Sequence, residues 1–312
     1  MPEQTGSTRR QVVKAYLALA AVSILWGLTF AGIIVAMGEK GEKFPPFFLA
    51  WLRQLLPGMF VMLWCILQKQ NLPSGKVFVQ LIVAALLMLV SSNVLITWSL
   101  LYIPSGLVGL LFTLLPGFTL FIEVVITRTV PFRWTGLAGI SLGFAGLYAI
   151  YLQHEGSMDE PNYIAGIGLT ILAVLTWAAG TIYAKRLPEK LSPWLSTGIQ
   201  LVITGLFLLP ISYFTEDWTL VNPDTSSWIA VIFLVISDSL LAYTAFLYAL
   251  RHLSGTVVSL YSYINTLIIV LVGILYFHEY AGPLTIAGTA LTLGGVYLVN
   301  KAYGLSTQKP AA

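Results

Sequence analysis

Gly139-Ile-Ser-Leu-Gly-Phe-Ala-Gly146-Leu-Tyr148 and Gly288-Thr-Ala-Leu-Thr-Leu-Gly-Gly295-Val-Tyr297 carry one pattern twice, 149 residues apart. Two further pairs keep nearly the same offset. Ser99-Leu-Leu-Tyr-Ile-Pro-Ser-Gly106 stands opposite Ala249-Leu-Arg-His-Leu-Ser-Gly-Thr256, and Leu25-Trp26-Gly27 opposite Thr176-Trp177-Ala178. A chain of 312 residues that repeats at this distance consists of two copies of one unit.

The composition says what this unit is made of. Hydrophobic residues are 57% and charged residues 9% of the chain, against about 25% charged in ordinary globular proteins. That excludes a soluble globular enzyme and a disordered chain. Nucleic acid is excluded as a partner, because a net charge of +3 with no basic block beyond Arg9-Arg10 offers no footprint for it. The single cysteine, Cys65, excludes an intramolecular disulfide framework and a cysteine-rich metal site. A bilayer core of roughly 30 Å takes about 20 apolar residues per helix. Ten stretches qualify, approximately 14–37, 46–67, 76–101, 105–127, 133–152, 163–185, 192–214, 227–250, 255–277 and 281–301. Long continuous apolar runs of this kind are helices and not the short alternating strands of a membrane barrel. Thr8-Arg9-Arg10 before the first run resembles an export signal, but the run is too long for a signal core of about 7–15 residues, and nine more follow it.

Ten spans in two copies means five per copy. Five is odd, so the second copy enters the membrane from the opposite side, and the repeat is inverted. The expected fold is therefore all-α and polytopic, with ten transmembrane helices. Residues 14–152 and 163–303 form the repeats, and 1–13 and 304–312 form tails. Basic residues choose the cytoplasmic side. Thirteen of them, from Arg9, Arg10 and Lys14 through Lys185, Arg186 and Lys190 to Lys301 and Lys309, fall on one side, and only Lys40 and Lys43 on the other. Both termini are expected in the cytoplasm and the protein in the cytoplasmic (inner) membrane. In transporters, an inverted repeat places the substrate near the bilayer midplane between the halves.

With these features the chain resembles the drug/metabolite transporter superfamily, in particular its EamA-type ten-helix exporters. The resemblance rests on Trp26-Gly27, the Ser99–Gly106 entry to span 4, Pro116 within that span, and Phe277-His278-Glu279 nine residues before Gly288. Thr129, Thr266 and His278 depart from the family pattern. The resemblance implies export of small metabolites and a central cavity lined by spans 1, 3, 4, 6, 8 and 9.

A charge at the bilayer centre costs about 3 kcal/mol or more, so each one calls for a reason. Asp238, eleven residues into span 8, reads as a proton- or cation-coupling carboxylate, a partner for a substrate ammonium, or a buried acid held by Arg53 or by Ser237 and Ser239. Its counterpart in the first half is Met88, so the repeat does not impose it. Arg53 in span 2 reads as a holder of a substrate carboxylate, as the structural partner of Asp238, or as a snorkelling side chain. Glu123, near the end of span 4, reads as an interfacial acid or a second coupling group. Trp26, Trp98, Trp177, Tyr243 and Tyr263, with Asn93 and Asn265, are the candidates to line an aromatic pocket for an amphipathic molecule or organic cation. Trp51, Trp64, Trp134, Trp194, Trp218 and Trp228 fit an interfacial belt. Gly136, Gly139, Gly143 and Gly146 make one small face on span 5 and read as packing. The expected partners are a small molecule, lipid and protons. No cofactor or metal is expected: the three histidines have no ligand spacing, and neither a nucleotide-binding nor a nucleophile-elbow motif occurs. An intramembrane enzyme and a channel or receptor are the readings from other classes, and the inverted repeat disfavours both.

Overall fold

In the computed structural model, residues 9–38, 42–103, 105–153, 163–188, 191–276 and 282–304 are described. Ser157, the Phe277–Glu279 motif and most of both tails lie outside them. Ten helices among the described residues are long and apolar enough to cross a bilayer: α1 Arg9–Met37, α2 Pro46–Leu67, α3 Gly75–Ser99, α4 Leu107–Ile126, α5 Trp134–Leu152, α6 Tyr163–Ala184, α7 Pro193–Thr215, α8 Thr225–His252, α9 Gly255–Val272 and α10 Pro283–Tyr303. Apolar length makes these helices, and local chemistry starts them. Pro46, Pro193 and Pro283 open α2, α7 and α10, where a missing N–H costs nothing. Asp224 and Ser254 cap α8 and α9 by accepting the backbone N–H of Ser227 and Val257. Three turns are widened to π geometry, Leu86–Val90 in α3, Ile122–Ile126 in α4 and Leu234–Ala242 in α8.

The packing has a simple rule. The helices α5 and α10 lie together along their length, and so do α2 and α7; α1 packs on α8 and α9, and α6 on α3 and α4. Exchanging each helix for the one five places on leaves this scheme unchanged. Glycines set the two long seams. A methyl on Gly139 would come 2.8 Å from the Gly295 carbonyl oxygen, and one on Gly58 would come 2.7 Å from the Val202 nitrogen. Lipid tails are as apolar as leucine, so close backbone approach does the work that water exclusion does in soluble proteins. The outside is correspondingly apolar: Ile164 is 84% and Phe214 82% exposed, which suits hydrocarbon and not water.

Candidate functional site

A cavity of about 510 Å³ runs from the middle of the bundle to the face carrying the α1–α2 and α3–α4 loops. Met37, Pro46 and Leu101 lie at its mouth. Its floor is a layer of rings: Trp26 lies 5.7 Å from Trp177, 5.5 Å from Phe246 and 4.6 Å from Tyr261 between centroids. The walls come from α1 to α4 and α6 to α9. The expected set of spans is corrected by α2, which supplies Leu49, Ala50, Arg53 and Gln54, and by α7, which supplies Leu201. These two helices pack against each other along their length and reach the cavity side by side.

The wall holds one buried ion pair. Arg53 donates through Nη1 to Asp238 Oδ2, and their side chains are 14% and 9% exposed. The second arm of the guanidinium reaches Asn93 Oδ1 at 3.2 Å. Asn93 donates its own amide to the Leu89 carbonyl at 2.6 Å, which turns its oxygen toward the arginine. Thr29 donates to Asp238 Oδ1 at 3.1 Å, and Ser239 stands 3.5 Å from Oδ2. Ser237 donates instead to the Phe233 carbonyl, so it gives the acid no support. Met88, the repeat counterpart of Asp238, is fully buried and touches Tyr243 through its sulfur. The charge thus has no counterpart 150 residues earlier in the chain.

Among the described residues, four buried polar atoms of cavity-lining side chains have no hydrogen-bond partner: Gln54 Oε1, Ser92 Oγ, Trp177 Nε1 and Asn265 Oδ1. Each such group costs roughly 1–3 kcal/mol when nothing pairs it. Trp26, Trp177, Tyr243, Asn93, Asn265, Arg53 and Asp238 thus lie around one space. Tyr243 is already engaged, donating to Gln200 Oε1 at 2.8 Å.

Three candidates lie elsewhere. Trp98 is 41% exposed on the outer surface of α3 and lines no part of the cavity. Tyr263 is fully buried in core packing, where it lies over Gly143 and donates to the Ile140 carbonyl at 3.0 Å. Glu123 is not an interfacial acid. It is 1% exposed, beyond the aromatic floor, and accepts from the backbone of Gly255 and Thr256. Lys185 lies 3.8 Å from it; burial pulls that lysine below its usual pKa range, and the Glu123 carboxylate opposes the shift. The sequence reading passed over Thr29, Gln54 and Ser92. Gln54 had a signal, being an amide next to Arg53 in an apolar span. Thr29 and Ser92 had none, since single hydroxyls are common in membrane helices.

The comparisons with known proteins agree with this architecture. A crystal structure 18% identical in sequence superposes with a TM-score of 0.79, covering 93% of this chain and 99% of the other, so the fold is shared. The chain is 27% identical over 266 residues to the "Uncharacterized inner membrane transporter YedA" of Escherichia coli (strain K12), covering 85% of this chain and 83% of that protein. It is 24% identical to the "Uncharacterized transporter YvbV" of Bacillus subtilis (strain 168), with 91% and 90% covered, and 28% identical to an "Uncharacterized transporter" of Archaeoglobus fulgidus, with 91% and 96% covered. Ten apolar helices and relatives of this kind make the protein a multi-pass inner membrane protein. The model of the EamA-like transporter family matches twice, at residues 13–152 and 164–301, and the chain belongs to that membrane transporter family.

Proposed function

We propose that the protein is a secondary transporter that exports small amphipathic zwitterions, amino acids or related compounds, across the cytoplasmic membrane. It works by alternating access between two inverted halves, 14–152 and 163–303, with both termini cytoplasmic. The carrying observation is the Arg53–Asp238 pair on the cavity wall. A ligand with one charge breaks this pair and leaves the other partner uncompensated, which is expensive for a buried group. A ligand with both charges replaces it charge for charge: its carboxylate takes the arginine fork and its ammonium takes Asp238. The apolar part rests on Trp26, Trp177 and Tyr261. Proton coupling follows from the same pair, because protonating Asp238 frees Arg53. Asp238→Asn removes the ammonium's partner and the proton site together, so it loses zwitterion exchange as well as proton-driven accumulation.

The ring layer on the cavity floor favours a second reading, an organic-cation or drug transporter. Thermal stabilisation of the purified protein separates the two, since a ligand at 100 times its Kd adds about 2.7 kcal/mol to the state it binds. Zwitterionic amino acids stabilise the wild type, while their methyl esters and N-acetyl derivatives do not, and Arg53→Gln abolishes the effect. Stabilisation by quaternary amines alone supports the second reading. Stabilisation by neutral sugars alone, unchanged in Asp238→Asn, overturns both.

A further inference from the structure

Beyond the aromatic floor, on the face away from the cavity mouth, a buried carboxylate joins the two halves. Glu123, near the end of α4, places Oε1 2.8 Å from the Gly255 nitrogen. Its Oε2 lies 2.9 Å from the Thr256 nitrogen and 2.7 Å from the Thr256 hydroxyl. Lys185, just past α6, stands 3.8 Å from the carboxylate and donates to the Leu253 carbonyl at 2.8 Å. One side chain thus gathers the ends of α4, α6 and α9. Position 255 must be small for this: a methyl there would lie 2.6 Å from Ile182 Cδ1 and 3.0 Å from Glu123 Oε1.

Toward the other face α4 and α9 flank the cavity, with the first turns of α4 still touching α9. Val108, Gly109 and Phe112 of α4 and Asn265, Thr266 and Ile269 of α9 line the open cavity. So α4 and α9 are bridged by a carboxylate at one face and line the open cavity toward the other. An inverted repeat could place a matching carboxylate at the far end of α9, yet the residue 150 positions on from Glu123 is Gly273. The other face does have a carboxylate bridging the halves. Glu216 accepts from the Phe47 and Phe48 nitrogens at 2.7 Å each. It joins α7 to α2, which already pack along their length and have no need to part.

We propose that Glu123 is a positioning residue for alternation: a one-sided clasp that holds the face opposite the cavity mouth shut and sets the resting protein open toward the α1–α2 loop. The proposal rests on the transport reading. Glu123 touches no substrate and acts through α4 and α9. Opening the clasped face breaks three hydrogen bonds to a carboxylate, and the position 150 residues on from Glu123 holds no carboxylate to replace them. The bias is therefore built in, and loss of the clasp moves the population toward the opposite state.

The test reads which face is open, without substrate, so it stands or falls separately from ligand binding. In a Cys65→Ser background, Ser259→Cys lies between clasp and floor at 1% exposure, and Thr266→Cys lies on the cavity wall. With Glu123 present, Thr266→Cys reacts with an impermeant maleimide from the mouth side and Ser259→Cys reacts from neither. Adding Glu123→Gln, which removes the charge and one acceptor oxygen, raises Ser259→Cys labelling from the clasped face about tenfold or more and lowers Thr266→Cys labelling from the mouth. In a second preparation, the Glu123→Gln variant that keeps native Cys65, that fully buried thiol stays unreactive if the fold is intact. Unchanged Ser259→Cys labelling with Cys65 still protected overturns the proposal. If Glu123→Gln exposes Cys65 as well, Thr256→Val decides. It removes one bond of three, and it must raise Ser259→Cys labelling while Cys65 stays protected, or the proposal falls.

Discussion

The α5–α10 seam yields a prediction whose size follows from geometry. A methyl added at Gly146 would sit 2.5 Å from the Gly288 carbonyl oxygen, 2.6 Å from Thr292 Oγ1 and 2.7 Å from the Thr292 nitrogen. Carbon and oxygen normally approach no closer than about 3.3 Å, so the overlap is roughly 0.8 Å. Two of the three atoms struck are backbone, and no side-chain rotation relieves them. Helix α10 must move as a body, at the roughly 1–3 kcal/mol typical of overpacking. Alanine also gains about 1 kcal/mol over glycine in helix propensity, which masks part of the cost. Gly168→Ala removes that ambiguity, because a methyl there meets nothing within 4 Å while the propensity gain is the same. In reversible unfolding in mixed detergent micelles, Gly146→Ala should therefore be less stable than Gly168→Ala by about 1–3 kcal/mol. Adding Gly288→Ala should cost less than it does alone, since one separation of the helices admits both methyls. Equal stability of Gly146→Ala and Gly168→Ala would refute the reasoning, and with it the claim that backbone contact holds the seam.

Two further predictions concern topology and pH. In a Cys65→Ser background, a cysteine at Ser157 should react with impermeant maleimide added outside the cell and one at Gln308 should not; the reverse pattern sinks the orientation. At the start of α8, the Ser227 hydroxyl, then the Ser226 hydroxyl, the Ser227 amide and Lys43 hold the Asp224 carboxyl well below the usual carboxylate range. A carboxyl depressed in the folded state contributes stability above its unfolded pKa of about 3.9 and loses it as pH falls toward the folded value. Asp224→Asn should lower the unfolding midpoint at pH 7, and the gap from wild type should shrink as pH drops below about 4. A gap independent of pH assigns the effect to something other than this charge.

Much of the frame could be read from residues alone, because apolar length and the 150-residue echo are both properties of sequence. The pairing of Arg53 with Asp238 was also within reach, since two lone charges deep in a bilayer have few other partners. Which way a helix faces was not. Trp26 and Trp98 are both tryptophans within apolar spans, yet one floors the cavity and the other is exposed on the outside of α3. Lipid and protein interior are equally apolar, so hydropathy cannot separate the two fates. Tyr263 was beyond reach for a related reason: what takes it into the core is the gap over Gly143, a contact between halves. Glu123 was misjudged because its partners are backbone amides some 130 residues away, and main-chain donors leave no mark in a sequence.

The three π turns set the bearing from which each helix addresses the cavity wall. Each residue advances an α-helix by about 100°, so a widened turn that takes in one extra residue swings everything beyond it to a new bearing. Such turns are frequent at functional sites. Here Glu123 and Asp238 both sit inside one, and Asn93 follows shortly after another. The helix before each widened turn and the helix after it therefore obey different compass settings. A single-residue deletion there would leave length, hydropathy and charge almost untouched. It would also turn Asn93 or Tyr243 away from the space they share, so the polar surface of the cavity depends on register as much as on composition.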